Sequence, residues 1–387
     1  MLRVLTLSSL FPDAGRPTFG AFVERQTQGL AARGDIALRV VAPVGVPPWP
    51  GALHPRYRAL AALPAREMRN GLDIHRPRFP VLPGTGGRFS HRLLARALRP
   101  LLAEIRRDFA FDVIDAEFFY PDGPAAARLG AELGVPVSIK ARGSDIHHWG
   151  ARPGCREAIV AAGHAANGLL AVSGALARDM AAMGMPGERI AVHHTGVDLD
   201  VFRPRDRTAA KAALGVTGPL LLCVGYLIAR KGQALAVEAL RDLPGATLMI
   251  VGDGPARADL ETQIAAAGLH GRVRMTGALP HAALPPLFAA ADLMVLPSAA
   301  EGLANVWVEA LACGTPVIAC QAGGVREVID RPEAGRIVAR TPEAIAAAAR
   351  ELLADPPPAE AVRACAARFT WEANARALHG HLRGLVS

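Results

Sequence analysis

Residues 297 to 329, PSAAEGLANVWVEALACGTPVIACQAGGVREVI, follow one apolar run with an acid, a short glycine turn, a helix-like segment, a second acid and a second glycine turn. That order suits a strand-helix-strand unit and little else. The run from Asp292 to Leu296 is stopped by Pro297, which predicts a buried strand delivering Ser298 and Glu301 to a loop. Val306, Trp307, Ala310 and Leu311 recur at helical spacing before Gly314 and Pro316, so the spacing predicts a helix from about Ala304 to Cys313.

Glu309 lies further along this helix than Glu301, and at about 1.5 Å of rise per residue their carboxylates can stand roughly 12 Å apart. Amides at the helix start, around Gly302, Leu303, Ala304 and Asn305, favour an anionic phosphate through unpaired N–H groups and the helix dipole. Carboxylates beside such a site suit the hydroxyls of ribose or hexose. Two glutamates on a solvated helix are common, and their spacing alone says little. It is the Gly302 turn, the Gly314-Thr315-Pro316 strand entry and the Gly323-Gly324 helix entry, in register, that make a ligand cradle of them.

A chain of 387 residues exceeds one ordinary core and predicts two domains. The apolar run at Leu2 to Leu7 is broken by Ser8 and Ser9, so it reads as a first strand rather than a secretory segment. No apolar run approaches the roughly 20 residues of a membrane span, which predicts a cytoplasmic or peripheral protein. Five scattered cysteines without a CxxC pattern fit a reducing compartment. Of the net charge of +8, much falls between residues 54 and 107, where twelve arginines face only Glu67, Asp73 and Glu104. The run suits an anionic membrane surface or acceptor, and equally a solvated face in a chain with only three lysines, Lys140, Lys211 and Lys231. Nothing in it points to nucleic acid.

In chain order, Val4 to Ser8 predicts a strand, Pro17 to Gly20 the entry to a helix from about Ala21 to Ala32, and Ile36 to Ala42 a second strand. Gly20 would let a ligand approach the backbone. From Pro43 to about Ser90, Pro, Gly and Arg predict an irregular loop, followed by an apolar helical stripe from Leu93 to Ile105. Strands at Val113 to Ala116 and Val135 to Lys140 continue a parallel sheet. Its carboxyl edge receives Glu117 to Tyr120, Arg142 to Asp145 with His147, and Ser173-Gly174. Neither His147-His148 nor His193-His194 has a carboxylate or cysteine at convincing ligand spacing, and Asp198 with Asp200 sits in a hinge-like linker, so no metal site is expected. In the second half, strand Pro219 to Val224 leads to a loop from Gly225 to Gly232 in which Lys231, with Arg230 as a second cation, can meet phosphate. Further strands deliver Gly252-Asp253-Gly254-Pro255 and Gly277-Ala278-Leu279 to the same edge.

These motifs together resemble the retaining glycosyltransferases of family 4. The resemblance rests on the linker GVDLDVF, the Gly225 to Gly232 loop with Lys231, the Gly252 to Pro255 turn, and Glu301 through Glu309 with the two glycine turns that follow. It implies a GT-B fold, α/β, with two Rossmann-like domains whose parallel sheets face across a cleft. Residues 1 to 196 would form the acceptor-binding domain and 197 to 370 the donor-binding one, with a final helix over 371 to 387 returning to the first. It further implies that Lys231 neutralises a donor diphosphate, Glu301 contacts the hexose, Glu309 holds the ribose, amides at Gly302 to Asn305 cap phosphate, and Leu279 borders the base. Glu117, Asp145 and His147 would lie on the acceptor side, Arg142 would steady phosphate or acceptor at the reacting centre, and Gly20, Gly225 and Gly252 would border the ligands. The expected donor is a UDP- or GDP-sugar with no metal, and the acceptor a glycan or lipid-linked sugar of surface polysaccharide. Two positions depart from the family's pattern: Tyr226 replaces an arginine, and Arg142, a poor base, replaces a histidine. They leave open a nucleotide-sugar epimerase and a non-catalytic binding subunit.

Overall fold

The computed structural model describes residues 1–386; Ser387, included in the expected final helix, and the side chain of Arg56 lie outside the described residues. The chain forms two compact units, Met1–Thr195 with Trp371–Ser387, and Gly196–Thr370.

Among the described residues the first unit holds ten strands: β1 (Leu2–Leu7), β2 (Ile36–Val41), β3 (Val44–Val46), β4 (Arg66–Arg69), β5 (Leu72–His75), β6 (Arg78–Pro80), β7 (Val113–Ala116), β8 (Val137–Ala141), β9 (Gly168–Ala171) and β10 (Ile190–Val192). Eight form one sheet in the order β10-β9-β8-β7-β1-β2-β5-β4, parallel throughout except for β4, and β3 pairs with β6 apart from it. The sheet reverses its winding at β1, so the loops after β1 and β7 flank its switch point, where open α/β sheets bind ligands. β7, β8 and β9 are buried on both faces, as parallel sheets covered by helices require, although Asp115, Ser138 and Lys140 stand among their apolar residues.

The expected irregular loop from Pro43 to Ser90 is instead structured. Arg66–Arg69 and Leu72–His75 form an antiparallel hairpin across Asn70-Gly71, both residues at positive φ. An Asn-Gly pair between strand-compatible runs is itself a hairpin signal, since it tolerates the left-handed turn. The arginines of this region are partly spent inside the fold: Arg66 pairs with Asp73, Arg69 with Glu24 and Arg76 with Glu67.

The helix Trp371–Arg383 belongs to the first unit and packs against the helix Ala21–Ala31. Leu378 and Leu382 are buried in the same cluster as Leu2, Val4, Leu30 and Val113. Asn374 donates from Nδ2 to the His194 carbonyl at 2.6 Å, tying the helix to the end of β10.

The second unit contains β11 (Leu220–Val224), β12 (Thr247–Val251), β13 (Val273–Gly277), β14 (Leu293–Leu296), β15 (Val317–Cys320) and β16 (Gly335–Val338), all parallel in the order β13-β12-β11-β14-β15-β16. This is the doubly wound order of a Rossmann sheet, with its switch point between β11 and β14. The helix after β14 runs from Asn305 to Ala312, one residue shorter at each end than the spacing predicts. In the linker, Asp198 Oδ1 accepts from the amides of Asp200 and Val201 at 3.0 and 3.1 Å, so this acid shapes a turn.

Candidate active site

The two loops flanking the second switch point are stitched together by their own backbone. The loop after β11 ends in a single turn, Ala229–Lys231, closed by Gly232, and the Arg230 carbonyl accepts from the Ala299 amide at 2.8 Å. Lys231 Nζ then donates to Glu301 Oε1 at 2.6 Å, with both side chains largely buried. Arg230 turns its guanidinium to the Ala300 carbonyl at 2.5 Å, so this expected phosphate cation is engaged in holding the loop. Arg340, which the sequence reading passes over, donates to the carbonyls of Pro297 at 2.9 Å and Ala229 at 3.3 Å. It braces both loops from beyond β16.

Gly302, Leu303 and Ala304 are buried and lead into the helix Asn305–Ala312, where Ala304 at the N-cap has no side chain to bond the first-turn amides. An anion is the natural partner of such a terminus. The second glycine turn supports the first: Gly323 has φ +49°, and a Cβ there would meet the Glu301 carbonyl oxygen at 2.1 Å. Gly324 N–H donates to the Gly302 carbonyl at 2.8 Å. Gly225 and Gly252 donate to the Val251 and Gly277 carbonyls, linking successive strand ends along the same edge.

Glu309, at the far end of the helix, is buried and bonded to His281 Nε2 at 2.7 Å. The His281 ring in turn lies 5.2 Å from that of Phe202, which is fully buried. His281 stands two positions after half-buried Leu279 in the loop following β13. The sequence reading stops at Leu279, although a polar residue in a loop at this sheet edge was a signal available to it. Tyr226, in the loop after β11, is exposed.

At the switch point of the first unit the structure gathers Glu117 and Arg142. Arg142 Nη2 donates to Glu117 Oε2, and its Nε to the Glu117 carbonyl at 2.7 Å, while its guanidinium sits 4.8 Å over the Phe22 ring. Glu117 is fully buried, whereas the Arg142 side chain retains 8% exposure. Glu117 is therefore placed to hold Arg142 rather than to meet an acceptor itself. Although burial works against its charge, Lys140 and Arg142 hold the Glu117 carboxyl down at about 2.

Asp145 and His147 do not join this pair. Asp145 is fully buried, and its carboxylate accepts from the amides of Phe119, Arg142, Gly143 and Ile146, so it shapes the loop. His147 bonds Asp179 at 2.9 Å on the surface. Gly20 is held at φ +70°, and a Cβ on it would meet the Leu10 carbonyl oxygen at 2.4 Å; chain packing already requires this glycine. Among the described residues no three His, Cys, Asp or Glu side chains cluster as metal ligands, and the five cysteines are free.

Two parallel-sheet units, each with charged loops at its switch point, are the architecture of the GT-B glycosyltransferases. Sequence comparison specifies the family: residues 20–201 match "Glycosyltransferase Family 4" and residues 204–369 match "Glycosyl transferases group 1". TuaC of Bacillus subtilis, whose name provisionally assigns it to teichuronic acid biosynthesis as a glycosyltransferase, is 31% identical over 359 residues, covering 90% of this chain and 88% of that one. The chain belongs to glycosyltransferase family 4, and it is a transferase. A D-inositol 3-phosphate glycosyltransferase of Mycobacterium tuberculosis shares 41% identity over 150 residues, 37% of this chain and 31% of the other. Among solved structures, sucrose-phosphate synthase from Thermosynechococcus elongatus superposes with TM-score 0.84 at 21% identity, covering 100% of this chain and 99% of that one. Anabaena HepE in complex with UDP-glucose gives 0.75 at 19%, covering 99% and 100%. These two likenesses concern the fold.

Proposed function

We propose that the protein transfers a sugar, with retention of anomeric configuration, from a UDP- or GDP-sugar held by the second unit to a glycan or lipid-linked acceptor held by the first, in the synthesis of surface polysaccharide. The observation that carries this reading is the Lys231–Glu301 pair beside the uncapped start of the helix Asn305–Ala312, at a Rossmann switch point. The HepE complex with UDP-glucose and the name of TuaC support it.

In this reading Lys231 and the amides of Gly302 to Asn305 take the diphosphate, Glu301 meets the hexose, and Glu309, oriented by His281, takes the ribose hydroxyls; Leu279 borders the base. The bond between the sugar C1 and the β-phosphate oxygen breaks, the acceptor oxygen bonds C1 on the same face, and the acceptor proton passes to the departing phosphate. Charge developing on that phosphate is met by Lys231 and the fixed amides, which favour the transition state over the ground state. No metal is required, and transfer should survive EDTA. Arg142, the less buried member of the first unit's pair, meets the acceptor.

The same protein would work at an anionic membrane surface. Trp49 and Leu53 are 78% and 56% exposed on one proline-rich loop, and Arg58, Arg92, Arg96 and Arg107 take part in no salt bridge among the described residues. Among those residues no helix is long and apolar enough to cross a membrane.

The test is a panel of UDP-, GDP- and ADP-sugars, read first by thermal shift and then by transfer to octyl glucoside and to a membrane lipid extract. One nucleotide sugar should raise the melting temperature and yield a glycosylated product with retained configuration. Stabilisation by none of them, or donor binding unchanged in Glu309→Ala, would count against the site.

A further inference from the structure

Asp115, Glu117, Lys140, Arg142 and His193 pack into the interior of the first unit around the amide of Gln26. Such a concentration of ionisable groups is costly to bury, and its geometry shows what it holds. Lys140, fully buried near the end of β8, donates from Nζ to Gln26 Oε1 at 2.5 Å and to His193 Nδ1 at 2.6 Å. His193 Nε2 gives its proton to the Asn374 carbonyl at 2.9 Å, which leaves Nδ1 free to accept. Gln26 Nε2 donates to Glu117 Oε1, and Glu117 Oε2 accepts from Arg142.

This relay has one direction. A rotated Gln26 amide would set its NH2 against the ammonium of Lys140 and its oxygen against the carboxylate of Glu117, two repulsive contacts in a dry site. Two side chains that can only donate face the Gln26 oxygen, Lys140 Nζ at 2.5 Å and Arg142 Nη2 at 3.4 Å, and the shorter bond, from Lys140, does most to decide how Gln26 presents itself to Glu117. We propose that Lys140 is a positioning residue for the acceptor: by fixing the Gln26 amide it holds Glu117 and, through Glu117, the guanidinium of Arg142. The inference rests on the reading of Arg142 given above.

The groups facing Lys140 are Gln26 from the helix Ala21–Ala31, Asp115 and Glu117 from the end of β7, Arg142 beyond β8, His193 beyond β10 and His381 from the helix Trp371–Arg383. Burial lowers Lys140 to about 7, opposed by Glu117. Burial and Lys140 bring His193 to about 3, and burial also lowers His381. Burial and Glu117 push Asp115 well above its ordinary value. Above about 7 the amine of Lys140 ceases to be an obligate donor, and its hold on Gln26 slackens.

The experiment compares the full-length wild type with Lys140→Met, using octyl glucoside as acceptor and UDP-glucose as donor between about pH 6 and 8. The expected result is an acceptor KM raised about tenfold at the acid end with donor KM within about twofold, and loss of the rise in acceptor KM that the wild type shows with pH. An unchanged acceptor KM and pH profile overturns the proposal. Should Lys140→Met fail to fold, Gln26→Met breaks the same link while leaving the Lys140–His193 and Glu117–Arg142 contacts in place; the same KM split supports the proposal, and a wild-type acceptor KM overturns it. Arg142→Gln separates the two levels. If it raises acceptor KM while Lys140→Met does not, this inference alone fails; if it leaves acceptor KM unchanged, the acceptor reading fails and takes this inference with it.

Discussion

Lys231 Nζ and Glu301 Oε1 stand 2.6 Å apart although 70 positions separate them in the chain. Each is delivered by a different strand flanking the switch point, so the contact reports the strand order itself. It also means that the ammonium is already paired, so the diphosphate proposed to bind here would have to engage its remaining protons and the nearby amides. Glu301→Gln keeps an acceptor for Lys231 and should fold normally, yet lose about 100-fold in kcat. Lys231→Met leaves a buried carboxylate unpaired and should lower stability by about 1–3 kcal/mol as well as kcat/KM. Urea denaturation and steady-state kinetics on the two variants separate these outcomes.

Glu309 is held by His281 on a ring packed against Phe202. Removing the imidazole with His281→Ala frees the carboxylate to rotate without touching the reacting end of the site. Donor KM should rise about five- to tenfold with kcat nearly unchanged. A fall in kcat at constant KM would show that Glu309 serves the chemistry rather than donor binding.

Asp122 is fully buried; burial raises its carboxyl from an ordinary 3.8 to about 7, while one oxygen accepts from the Ser9 amide at 2.6 Å. A carboxyl raised on folding binds its proton more tightly in the folded chain, so its stabilisation is full below 3.8 and disappears as pH climbs through about 7. Asp122→Asn keeps an acceptor for Ser9 and removes the titration. The wild type should therefore gain on the variant as pH falls from about 7 to 5, by about 1 kcal/mol per unit at most. Parallel stability curves from urea denaturation would contradict this.

The exposed Trp49 and Leu53 supply a test of membrane attachment that leaves the proposed active site alone. The double variant Trp49→Ser, Leu53→Ser should cosediment several-fold less with vesicles containing phosphatidylglycerol, and transfer to a water-soluble acceptor should be unaffected. Equal sedimentation of both proteins would remove this loop from any membrane surface.

The cradle after β14 was legible because its geometry is local: Glu301, Gly302, Glu309 and the glycine pair lie within one strand-helix-strand unit, where spacing dictates geometry. Arg340 and His281 were not, since each reaches its partner from a different strand loop, and a polar residue at the sheet edge, as His281 is, does not say which partner it meets. Asp145 and Glu117 illustrate the opposite error. A carboxylate at a sheet edge reads as a ligand group until its backbone amides or its arginine are known to have taken it. The missed Arg66–His75 hairpin has a plainer cause, a polar, arginine-rich composition that masked the Asn-Gly turn.

The return of residues 371–386 to the first unit imposes an order on synthesis. Leu378 and Leu382 belong to the cluster that closes over Leu2, Val4 and Leu30, and Asn374 completes the bonding of His193 and His194. During translation this cluster therefore lacks Leu378 and Leu382 until the whole of Gly196–Thr370, a continuous piece of chain, has been made.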